Sequence, residues 1–129
     1  NGGKLIQHVE GHGIAGTHNI TLLNEDPRLN MEIPITSTHH QMLFPFNLQK
    51  HKYQLLACST HFRSSVYLNG NNEQIELPEN FLEPEIVYYP DYNSLAIQGH
   101  PEYMDPNSKT VQIIKKMIIN KLNLFRNEK

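Results

Sequence analysis

Apolar residues come in short runs separated by polar loops, and most runs are too short for helices. Leu5 to Val9 reads as a first strand, followed by a Glu10-Gly11-His12-Gly13 loop. His18-Asn19-Ile20-Thr21-Leu22-Leu23 alternates polar and apolar positions, as a half-buried strand does. Asp26-Pro27, within Asn24 to Asn30, predicts a turn or a single helical turn. Ile33 to Ser37 is a strand leading into Thr38-His39-His40-Gln41. Met42-Leu43-Phe44-Pro45-Phe46 reads as an apolar loop, and Tyr53 to Cys58 as a buried strand. Val66-Tyr67-Leu68 and Gln74-Ile75-Glu76-Leu77 flank Asn69-Gly70-Asn71-Asn72, which predicts a hairpin. Ile86 to Tyr89 is a strand ended by Pro90-Asp91, and Leu95-Ala96-Ile97 is another that stops at Gly99. Only the last segment has helical period. Behind an N-cap at Asn107 or Ser108, the residues Val111, Ile114, Ile118, Leu122 and Phe125 share a face, with Lys115, Lys116 and Lys121 outward and Arg126 near the C-terminal end. Such a helix is expected to dock its apolar face on a sheet as the closing element of a domain.

Composition narrows the class. The 129 residues fit one domain or a large piece of one, and a 38% hydrophobic fraction gathered into runs argues for a folded chain. A formal charge of −2 gives no electrostatic case for nucleic acid or a membrane surface. The single cysteine, Cys58, excludes an internal disulfide and fits a reducing, cytoplasmic setting. No run of eighteen apolar residues is present. Gly2-Gly3 ahead of Lys4-Leu5-Ile6 looks like a loop between a helix and a strand, so the sequence is expected to begin in mid-fold.

The apolar run Leu95 to Ile97 delivers Gly99-His100-Pro101-Glu102. A histidine and a carboxylate held at a strand end are two thirds of a nucleophile-base-orienter triad, because the carboxylate fixes the imidazole tautomer and raises its basicity. The tripeptide alone reads equally well as a turn with a surface histidine and a solvated acid. The eight histidines raise a second chemistry. His8 and His12, with Glu10 between and His18 beyond, could suggest zinc, but the helix that makes a His-Glu-x-x-His site work is not predicted there. His8 and His18 are expected to be strand-end residues bonded to backbone, and His51 and His61 to be solvated. No metal and no cofactor is expected.

Four stretches carry a resemblance: Gly2 to Val9, Thr36-Ser37-Thr38-His39-His40-Gln41, Glu85-Ile86-Val87-Tyr88-Tyr89, and Ala96-Ile97-Gln98-Gly99-His100-Pro101-Glu102. In this order and spacing they resemble the class I glutamine amidotransferase-like proteins, nearest to the γ-glutamyl-peptide hydrolase branch. The resemblance implies an α/β fold, the C-terminal portion of a flavodoxin-like domain with a closing C-terminal helix. It also implies a Cys-His-Glu triad in which His100 is the general base and acid and Glu102 orients it. Thr38, His39 and His40 become candidates for the substrate wall, with His39 preferred because adjacent strand residues face opposite ways. The implied substrate is glutamine or another γ-glutamyl amide. A synthetase that receives ammonia is a further implied partner. The nucleophile elbow of the family lies ahead of Gly2, outside the sequence, and Cys58 in Leu55-Leu56-Ala57-Cys58 lacks an elbow glycine. Three completions stay open: a nucleophile-bearing segment elsewhere, a catalytically inactive amidotransferase-fold binding domain, or a fragment without a role of its own. A histidine-rich metal-binding domain is the remaining alternative.

Overall fold

The computed structural model describes residues 4–39 and 41–123, apart from the side chains of Ile14 and Ala15. In chain order the strands are β1 (Lys4–Ile6), β2 (His8–Val9), β3 (Gly13–Leu22), β4 (Met31–Thr38), β5 (Met42–Phe44), β6 (Gln54–Ser59), β7 (Tyr67–Leu68), β8 (Pro84–Tyr89) and β9 (Ser94–Ile97), followed by the helix α1 (Lys109–Lys121). Five strands form one sheet in the order β4-β3-β6-β8-β9, with every neighbouring pair antiparallel. Among the described residues the architecture is α/β: a five-stranded antiparallel sheet, two two-stranded antiparallel ribbons and one C-terminal helix. No helix among the described residues is long and apolar enough to cross a membrane.

The sheet curls. After β9 the Gln98 N–H still donates to the Glu85 carbonyl on β8 (2.8 Å), yet the His100 N–H donates to the Thr36 carbonyl on β4 (2.8 Å), at the sheet's opposite edge. Gly99 makes that closure possible, since a Cβ there would collide with the Ile35 side chain and come 2.9 Å from the Thr36 carbonyl oxygen. The β4 edge is also closed one pair of residues earlier. Pro34 has no N–H to offer, and its carbonyl accepts from the Thr110 hydroxyl of α1 (2.6 Å).

Helix α1 starts where the sequence places it, with the Ser108 hydroxyl accepting from the Val111 N–H (3.3 Å). Its buried face carries Thr110 and Ile114, with Ile113, Met117 and Ile118 packed around them against Ile20, Ile33, Ile35, Leu56, Ala57 and Ile86 of the sheet. Burying one such isoleucine contributes about 1.5–3 kcal/mol. Lys115 and Lys116 are exposed as expected, but Lys121 turns back to donate to Gln54 Oε1 (2.7 Å) and lies over the Tyr88 ring. Phe125 and Arg126 lie outside the described residues.

Two strand expectations are corrected. Leu5 to Val9 is two strands broken at Gln7, because β1 pairs with β5 while β2 pairs with β7. Met42–Phe44 is therefore a strand, with Leu43 opposite Leu5. Around these ribbons Ile6, Val9, Met42, Tyr67 and Phe81 form a second core, flanked by Phe44, Phe46, Ile75 and Leu77. The expected hairpin turns at Asn69 to Asn72, but its second arm is held by a single bridge, Leu68 to Gln74.

Candidate functional site

Two constellations of imidazole and carboxylate stand out. The first is at the exit of β9. Pro101 opens a 3-10 turn, Pro101–Tyr103, whose fixed backbone folds Glu102 back over His100. His100 Nδ1 and Glu102 Oε2 are 2.9 Å apart, so a proton on Nδ1 leaves Nε2 as the nitrogen available to a reacting group. The His100 ring stacks on Tyr103 at 5.2 Å. The pair is solvent-facing, with the side chains 33% and 60% exposed. The bond from His100 holds the Glu102 carboxyl below its ordinary range. At that exposure the pair adds little to stability, so its structural effect is orientation.

Beside the strand that delivers His100 lies a cleft of about 560 Å³ whose wall includes Ala96, Ile97, Gln98, His39, Gln41 and Gln7. Gln98 holds the cleft together, with Oε1 accepting from the Leu43 N–H (2.6 Å). Of the expected substrate-wall residues, His39 is on this wall, Thr38 is an exposed residue at the end of β4, and His40 lies outside the described residues. Cys58 is buried in β6, and burial first, then the Glu85 charge, pushes its thiol up to about 11. A thiol so placed is protonated at neutral pH and behaves as a small hydrophobe.

The second constellation is buried. His12 sits in the bend between β2 and β3, where Gly11 takes φ +76° and a Cβ would collide with the Arg63 carbonyl oxygen. Only glycine fits there. The close approach brings the 63–64 backbone against Glu83, whose carboxylate accepts from the Arg63 and Ser64 N–H groups (2.9 and 3.0 Å), the Tyr67 hydroxyl (2.6 Å) and His12 Nε2 (2.9 Å). Glu83 is fully satisfied. Glu85 is not. It falls at a register shift, between the pairs Ala57 with Ile86 and Cys58 with Pro84, and such bulges re-aim side chains. Its Oε2 lies 3.2 Å from His12 Nδ1, 3.6 Å from His18 Nε2 and 4.0 Å from His39 Nε2. All three imidazole nitrogens and both Glu85 oxygens are buried without a hydrogen-bond partner.

Protonation in this cluster is divided. Burial alone would lower His12, but its bond to Glu83 and the neighbouring Glu85 charge outweigh that and raise it to about 9. Burial lowers His18 to about 4, with repulsion from His12 adding to it, and burial also lowers His39. Burial would raise Glu83, but the bonds from His12 and Tyr67 hold it below the usual carboxylate range. His12 therefore carries the positive charge of the cluster beside Glu83 and Glu85, with two neutral imidazoles next to it.

No family model, no characterised protein and no solved structure matches this chain. Sequence reasoning places His100 and Glu102 together, and they are together. His18 bonds the Asn19 carbonyl (3.3 Å) as expected, but it lies buried within β3 and not at a strand end, because β3 begins at Gly13; His51 and His61 are exposed as expected. Reading the sequence misses Glu83 and gives Glu85 no role of its own. The available signal is Glu83-Pro84-Glu85 at the start of a strand that is otherwise apolar and aromatic.

Proposed function

We propose that this chain is the C-terminal portion of a flavodoxin-like amidotransferase domain, supplying the histidine and glutamate of a Cys-His-Glu triad that hydrolyses γ-glutamyl amides in the cytoplasm. The observation that carries the reading is the 2.9 Å contact between His100 Nδ1 and Glu102 Oε2, at a strand exit beside a cleft. His100 Nε2 takes the proton of a cysteine thiol from a preceding segment, and the thiolate attacks the γ-carbonyl carbon. The same nitrogen returns the proton to the departing ammonia or amine. It then deprotonates the water that cleaves the thioester and releases glutamate. Glu102 keeps Nδ1 protonated and stabilises the imidazolium that forms in each half-reaction. Gln98 and the ring of His39 form the cleft wall against which the substrate, glutamine or another γ-glutamyl amide, lies, and a synthetase is the partner that takes up ammonia.

The test is intact-mass analysis of the product of the complete gene after treatment with a glutamine-analogue electrophile. One adduct on a cysteine ahead of Asn1, formed far more slowly in His100→Ala, is the expected result. No adduct, or an adduct on Cys58, overturns the triad and leaves an amidotransferase-like binding domain.

A further inference from the structure

We infer that His12, His18, His39 and Glu85 form a structural binding site for a divalent transition-metal ion of the zinc class. The inference stands apart from the His100 and Glu102 pair; it shares His39 with the cleft wall, where the ring lines the cleft while Nε2 faces Glu85. Its basis is a set of buried atoms without a hydrogen-bond partner: His12 Nδ1, His39 Nε2 and the Glu85 carboxylate gather in one place, with His18 Nε2 beside the same Glu85 oxygen, and the one close approach among them is His12 Nδ1 to Glu85 Oε2 at 3.2 Å. Burying a carboxylate with neither oxygen hydrogen-bonded is unfavourable even with the His12 ring 3.2 Å away, and the same holds in lesser degree for each imidazole nitrogen. A cation at their common focus removes all of these penalties at once.

Geometry and the outer shell agree. The donor atoms of His12, His39 and Glu85 all lie within 4.8 Å of one another, and His18 Nε2 is 3.6 Å from the same Glu85 oxygen. A tetrahedral ion with bonds of about 2.0–2.2 Å needs its ligand atoms roughly 3.3–3.5 Å apart, so His12, His39 and Glu85 close on it with small inward rotations, and His18 turns in from beside Glu85 to take the fourth position. Each imidazole already presents its other nitrogen to an oxygen: His12 Nε2 to Glu83 (2.9 Å), His39 Nδ1 to the Gln41 carbonyl (2.6 Å), and His18 Nδ1 to the Asn19 carbonyl (3.3 Å). Metal-ligating histidines are oriented in this way, by a carboxylate or carbonyl that fixes the tautomer and leaves the inner nitrogen as a lone-pair donor; at His12 the metal takes the place of the Nδ1 proton, which is released on binding. Three imidazoles and one carboxylate, hard and borderline donors without thiolate, suit zinc and its neighbours. Four protein ligands, each nearly or fully buried, describe a closed site that joins the start of β3 and the end of β4 to β8 rather than one that keeps a position open for substrate.

The test is metal content and binding of the purified protein. Prepared without chelator, it should carry close to one equivalent of zinc. After chelator treatment it should bind Zn2+ at submicromolar concentration and take up Co2+ with the intense visible absorption of a four-coordinate nitrogen and oxygen site. Glu85→Gln, which preserves shape, and His39→Ala should each weaken Zn2+ binding by more than 100-fold, and Glu83→Gln, acting through His12, by about 10- to 100-fold. His51→Ala and His61→Ala should leave it unchanged. The Co2+ spectrum of the unaltered protein decides the matter even where a variant fails to fold. Absence of bound Zn2+ and of a four-coordinate Co2+ spectrum overturns the site, as does binding that survives both Glu85→Gln and His39→Ala.

Discussion

His100 with Glu102 and His12 with Glu83 are chemically the same pair at the same 2.9 Å separation, yet they sit in opposite environments. The exposed pair is held by a local turn, two residues apart, and water satisfies whatever the partner leaves over. The buried pair joins segments 71 residues apart, and every lone pair around it has to be matched by protein or by a bound ion. Solvent access therefore sorts the two by use. Under the proposed triad, a residue that gains and loses a proton in each turnover needs a cheap change of charge, which the surface provides. A residue that fixes architecture benefits from the low-dielectric interior, where losing a partner is severe.

That contrast can be broken or sharpened by substitution. The largest effect is expected on turnover. If the proposed triad holds, His100→Ala in the product of the complete gene should lower the rate of γ-glutamyl amide hydrolysis by about 100- to 10,000-fold, while the urea unfolding midpoint stays in place. A shifted midpoint would give the exposed pair a structural share that its solvation does not predict. Glu83→Ala should do the reverse in the isolated chain, costing about 3–5 kcal/mol of stability in urea titration, because His12, Tyr67 and two backbone amides lose their acceptor together. Stability within error of the unaltered chain would mean that the buried network is not a unit. Gly99→Ala comes next, at about 1–3 kcal/mol, since the added methyl collides with Ile35. The same variant should displace His100 from β4 and slow catalysis, measurable as a fall in kcat. The smallest change is at Cys58. With its thiol at about 11 against an ordinary value of 9.0, the thiolate fraction at pH 8 is on the order of one in a thousand. Iodoacetamide should leave it unmodified in the native protein at that pH, label it readily in denaturant, and react faster as pH climbs towards 11. Rapid native labelling at pH 8 would make it a reactive thiol after all.

Local signals carried the first site and long-range pairing hid the second. Gly99, Pro101 and the spacing of His100 and Glu102 are contiguous, so strand exit, turn and ion pair can all be read within a few residues. The Ser108 cap and the Ile114 stripe are legible for the same reason. Leu5 to Val9 misleads because nothing within that run announces that Gln7 is where the chain changes partner, from β5 to β7. Met42 to Phe44 has no alternation because both faces are used: Met42 and Phe44 pack in the second core while Leu43 lines the cleft. His12 does lie in a loop, but the atoms that define its chemistry belong to Glu83 and Glu85, and only the register shift in β8 turns Glu85 towards it.

The curl of the sheet has a further consequence, for colloidal behaviour. An edge strand with unsatisfied backbone groups is a template on which another chain can nucleate ordered association. At the centre of β4 that template is disabled from within: Pro34 supplies no donor, the Thr110 hydroxyl occupies its carbonyl, and the His100 amide occupies the carbonyl of Thr36. The amide that seats the histidine thus also shields the sheet from cross-strand recruitment, so a substitution that loosens the β9 exit should reveal itself as turbidity on storage.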